Sequence, residues 1–111
     1  MKIEEVFARR RFIMLDGAMG TQLQLRGLTT EQKPELAAFI MPDVLTAVHR
    51  DYACAGADIL LANTFGANPR KLKGTGYTVQ QVIEASIACA RTAAQETGAL
   101  VALDIGPIGE L

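Results

Sequence analysis

Three continuous apolar runs constrain this 111-residue chain more than any other feature: Phe12-Ile13-Met14-Leu15, Ile59-Leu60-Leu61-Ala62 and Ala99-Leu100-Val101-Ala102-Leu103. None alternates polar with apolar side chains, as a strand facing water on one side would. Uninterrupted runs of this length are the pattern of parallel strands covered on both faces. Helical spacing fills the intervals between them. The order β, connection, helix, β, loop, helix, β predicts an α/β chain with right-handed crossovers and a parallel sheet.

From Pro42, apolar residues at Val44, Leu45, Val48, Tyr52 and Ala55 fall on one helix face. Pro42 and Asp43 suit a first turn, and Gly56 a stop. A second stripe runs through Val79, Val82, Ile83, Ser86, Ile87, Ala90, Ala93 and Ala94. Thr78 followed by Gln81 reads as a capping box, and Gly98 closes the far end. Gln80, Glu84, Arg91, Gln95 and Glu96 form the opposite, solvent-facing side. Residues 29–35 and 68–78 carry prolines or glycines and read as loops. A short helix over the first eleven residues leads into the first strand.

Ligands of parallel sheets sit beyond the carboxyl ends of the strands. Here those ends read Asp16-Gly17-Ala18-Met19-Gly20-Thr21, Asn63-Thr64-Phe65-Gly66-Ala67-Asn68 and Asp104-Ile105-Gly106-Pro107-Ile108-Gly109. Each passes abruptly from apolar residues to a polar side chain and then small residues, which let a ligand approach the backbone. Three such ends predict one shared pocket. Structural roles remain open beside the functional ones. Asp16 would equally cap a helix starting near Ala18, Asn63-Thr64 would form a turn, Phe65 would pack in the core, and Asp104 would be a satisfied loop residue. The glycines after the first run fit neither dinucleotide nor Walker spacing.

Lys and Arg number 11 against 12 Asp and Glu, which lacks the basic excess of a nucleic-acid domain. The longest apolar run, residues 36–41, is far short of a membrane span, and Met1-Lys2-Ile3-Glu4-Glu5 has no apolar signal region. A cytoplasmic setting follows as the expectation. His49 lies mid-helix, away from the strand ends, and reads as structural. Cys54 and Cys89 lie on helices far apart in sequence and read as buried or boundary thiols rather than metal ligands. No nucleophile–base arrangement is evident, so no catalytic residue is assigned.

The segment Leu15-Asp16-Gly17-Ala18-Met19-Gly20-Thr21 closely resembles the opening motif of the homocysteine S-methyltransferase family. Within it, the nearest likeness is to the homocysteine-binding module that opens cobalamin-dependent methionine synthases. Three further blocks agree in order: Pro42-Asp43 through His49-Arg50-Asp51-Tyr52; Ala55-Gly56-Ala57-Asp58-Ile59 through Asn68; and the block from Asp104 to Gly109. The resemblance implies a (β/α)8 TIM barrel that binds homocysteine through zinc and methylates its sulfur, forming methionine. Zinc would favour the thiolate over the less nucleophilic thiol. It also implies that Asp16 faces the ammonium of homocysteine and Gly17 offers backbone donors to its carboxylate. By the same resemblance Asn63, Thr64, Phe65, Asp104 and Gly106 line that substrate pocket.

The zinc ligands of the family are cysteines on later strands, and neither Cys54 nor Cys89 matches one. A barrel typically needs about 250 residues. Residues 1–111 are therefore expected to be the first three β/α units of a truncated barrel, inactive alone. The rest of the barrel, or further domains, would follow Leu111. The methyl donor would be methylcobalamin, a folate or a related carrier. A different class of reading is a small nucleotide- or phosphate-binding module, with the glycines after the first run cradling a phosphate.

Overall fold

The computed structural model describes residues 2–9 and 12–108, so Gly109 and Leu111 lie outside the described residues. Helix α1 spans Ile3–Arg9 and α2 Gly20–Leu25. A 3-10 turn at Pro34–Leu36 runs into the single-turn α3, Ala37–Ile40, and then α4, Pro42–Cys54. Strand β1, Ile59–Leu61, is followed by α5, Pro69–Leu72, then α6, Val79–Ala94, and β2, Leu100–Ala102.

The two long helices form where the sequence encodes them locally. At the start of α6, the Gln81 N–H donates to Thr78 Oγ1 at 3.1 Å while the Thr78 N–H donates to Gln81 Oε1 at 2.9 Å. At its end Gly98 turns to φ +79°, a left-handed conformation open to glycine, and its N–H reaches the Ala94 carbonyl at 2.8 Å. Two features of the expected packing differ. Ala55, placed on the apolar face by spacing, caps α4 and is exposed, and so is Cys54, which is neither a buried nor a boundary thiol. Cys89 does sit at the boundary, packed against the core.

β1 and β2 pair in parallel, with Ile59 opposite Leu100, Leu60 opposite Val101 and Leu61 opposite Ala102. The first apolar run does not become a strand. It lies parallel on the other side of β1, joined by a single bridge, Leu15 to Ile59. The Asp16 N–H reaches the Ile59 carbonyl, and the Asp58 N–H the Met14 carbonyl. The Asp58 carboxylate takes the Met14 N–H at 2.9 Å, so a side chain replaces part of the ladder.

Nor are the runs covered on both faces. Leu60 is fully buried against Ala53 of α4 and Ala93 and Ala94 of α6, so both long helices cover its face. The residues to either side of it in β1, and all of β2, are half-buried, while Met14 and Leu15 are more than half exposed. On that side the start of α1 comes near, with Ile3 and Glu4 lining a cleft together with Ile59, Leu100, Val101 and Ala102. A second cluster, Leu23, Leu28, Ala37, Ala38, Leu45 and Val48, joins α2 and α3 to α4. No helix among the described residues is long and apolar enough to cross a membrane.

Candidate functional site

A cavity of about 430 Å³ opens at the carboxyl ends of the strands. Asp16, Gly17, Asn63, Phe65 and Asp104 line it, five of the seven residues singled out from sequence. That volume lies in the range typical of small-molecule sites.

Asp16 is not a helix cap. Helix α2 begins at Gly20, and its capping residue, Met19, makes no side-chain bond. The Asp16 carboxylate instead accepts the Leu61 N–H at 3.1 Å, which anchors it across the end of β1. Burial raises its pKa above the ordinary aspartate value, and the charge of Asp104 adds to this. The N–H groups of Leu61 and of Asp16 itself work against the rise. A carboxylate so placed gains from a cation.

Thr64 and Gly106 do not line this cavity. They border a smaller one of about 160 Å³ behind Phe65. The Thr64 hydroxyl is buried and spends itself on Asp104, donating to its carbonyl at 2.8 Å and accepting its N–H at 3.0 Å. Gly106 passes so close beneath Phe65 that a Cβ would lie 2.6 Å from the Phe65 carbonyl oxygen. Both residues shape the site from behind.

The Asn63 amide is tied down within the cavity wall, where Nδ2 donates to the Pro34 carbonyl at 2.7 Å. That bond holds the Pro34–Leu36 turn over the strand ends and brings Glu35 into the cavity wall. The Glu35 side chain lies against Gly66, where any Cβ would collide with it. Glu35 was not singled out from sequence, because a polar loop carries no periodic signal of where it folds back. Phe65 is half exposed at the mouth rather than in the core, with the Lys71 ammonium 5.5 Å from its ring centroid.

His49 lies away from this cavity. It is fully buried in α4, neither ring nitrogen has a partner among the described residues, and burial lowers its pKa to about 4. A structural role fits that position.

No group of three or more His, Cys, Asp or Glu side chains among the described residues is placed to hold a metal ion. The cavity wall contains neither cysteine nor histidine, so these residues do not fit a thiolate-rich zinc site.

A parallel α/β layer with an acidic pocket at its carboxyl ends has the architecture of an α/β ligand-binding domain. The chain belongs to the homocysteine S-methyltransferase family, whose model matches residues 13–111. It is 38% identical over 97 residues to a methionine synthase of Mycobacterium tuberculosis, covering 80% of this chain and 8% of that protein. It is 28% identical to the homocysteine S-methyltransferase YbgG of Bacillus subtilis, covering 96% and 39%. The metallated form of the homocysteine methyltransferase MmuM from Escherichia coli superposes with a TM-score of 0.85 at 27% identity, covering 96% of this chain and 42% of that one. The chain thus spans well under half the length of these relatives.

Proposed function

We propose that residues 1–111 form part of a (β/α)8 barrel that transfers a methyl group to the thiol of homocysteine, and that the cavity holds the amino-acid end of that substrate. One observation carries this reading. Asp16 and Asp104 line the same cavity as the Gly17 and Ala18 backbone, whose N–H groups donate to nothing among the described residues. An α-amino acid offers the complement, an ammonium for the carboxylates and a carboxylate for the free N–H groups.

In this reading Asp16 faces the ammonium, Gly17 the carboxylate, and Asn63, Phe65 and Asp104 complete the wall, with Thr64 and Gly106 supporting them. Zinc, if the whole protein uses it, would be held by residues other than these and would favour the thiolate of the substrate. The donor would be methylcobalamin, a folate or a related carrier bound elsewhere. The half-covered strand faces would be closed by further β/α units, in keeping with the 42% of the MmuM chain that is matched. Two free thiols fit a reducing cytoplasm.

A phosphate ligand gains no support, because Asp16, Glu35 and Asp104 would all face its negative charge. The test is the affinity of the full-length protein for L-homocysteine. Loss of the Asp16 charge in Asp16→Asn is expected to weaken binding by about tenfold or more. Unchanged affinity would overturn the assignment.

A further inference from the structure

The cavity depends on a residue that never enters it. Tyr52 stands two residues before the end of α4, half-buried at the junction of the two apolar clusters. Its hydroxyl donates to the Ala18 carbonyl at 2.7 Å. The edge of its ring lies 3.1 Å from where a Gly17 Cβ would stand, so the glycine backbone rests directly on the ring. The turn from Gly17 to Ala18 is otherwise free of hydrogen bonds to described residues, and no side chain caps the helix that follows.

We infer that Tyr52 is a positioning residue that sets the Gly17–Ala18 turn for recognition of the substrate carboxylate. The physical reason is that the tyrosine holds the turn at two points, the Ala18 carbonyl and Gly17. The Ala18 carbonyl belongs to the peptide unit that carries the Met19 N–H, so its bond to the tyrosine fixes that plane, and the ring edge against Gly17 limits the freedom a glycine would otherwise keep in the units before it. N–H groups held in one orientation bind an anion without first being ordered. Asp16 does not share this dependence, because its carboxylate is anchored separately to the Leu61 N–H. Tyr52 therefore governs the carboxylate end of the ligand and leaves the ammonium end alone. This inference rests on the amino-acid reading of the pocket.

The experiment compares L-homocysteine with 3-aminopropane-1-thiol, which keeps the ammonium and thiol but lacks the carboxylate, on the full-length protein. Tyr52→Phe keeps the ring and removes only the hydroxyl. It is expected to weaken L-homocysteine by about fivefold while changing the aminothiol by less than about twofold. Asp16→Asn, measured alongside, is expected to weaken both. An equal loss of both ligands in Tyr52→Phe, or no loss of either, overturns the positioning role while the Asp16 result still supports the pocket. If Asp16→Asn changes neither ligand, the pocket reading itself falls. Should Tyr52→Phe fail to fold, Gly17→Ala presses on the same ring from the loop side. The same selective loss is expected there, and an unselective one counts against the inference.

Discussion

The Thr64 hydroxyl and the main chain of Asp104 bond to each other in both directions, at 2.8 and 3.0 Å, across the ends of β1 and β2. One buried side chain thereby does what one further rung of the ladder would do, and it does so where the second pocket carboxylate leaves the sheet. Thr64→Val keeps the shape and strands the Asp104 N–H and carbonyl. It should cost about 1–3 kcal/mol in chemical denaturation. Thr64→Ser should recover most of that loss, and the absence of any difference between the two variants would refute the role.

His49 makes stability depend on pH. Its folded pKa, about 4, lies below the unfolded value of 6.5, so the unfolded chain binds more protons between those limits. Stability is therefore full above about 6.5 and is lost as the pH falls toward 4, by an amount on the order of 3 kcal/mol. Urea midpoints measured across that range should show the slope, and His49→Leu should flatten it.

Asp16 predicts an acid limit on ligand affinity. Its pKa is raised, chiefly by burial and further by Asp104, and only the ionised form attracts an ammonium. Binding of L-homocysteine should weaken on acidification at a pH above the ordinary aspartate range. A pH series by calorimetry reads this directly, and Asp16→Asn should remove that limb.

Gly106→Ala forces a Cβ to within 2.6 Å of a backbone oxygen of Phe65, an atom that cannot swing aside as a side-chain tip would. The chain after β2 or the Phe65 segment must shift, at a cost of about 1–3 kcal/mol. Melting temperature and homocysteine affinity should fall together.

Thr78→Ala removes one half of the α6 capping box and should cost about 1 kcal/mol, with no effect on ligand affinity. Thermal denaturation beside a binding measurement separates the two.

The elements that could be read from sequence are those specified by near neighbours along the chain. Helices Pro42–Cys54 and Val79–Ala94 follow from spacing, the Thr78 and Gln81 cap, and the glycines at 56 and 98. The parallel order of the runs was legible for the same reason, as was the gathering of Asp16, Gly17, Asn63, Phe65 and Asp104 around one cavity. An abrupt change from apolar to polar residues marks a strand end whatever surrounds it.

What only the tertiary structure decided are the contacts between segments far apart in sequence. Spacing says that Tyr52 faces inward, yet not that its hydroxyl meets the Ala18 carbonyl. It says that Thr64 stands at a strand end, yet not that it binds Asp104 rather than a ligand. The first run is as apolar as the others and still forms only one bridge, because the Asp58 carboxylate takes the Met14 N–H in place of part of the ladder. Hydrophobic pattern records the burial a segment seeks. Which atoms meet there is settled by the packing of the whole chain, through contacts that leave no periodic trace in the residues on either side.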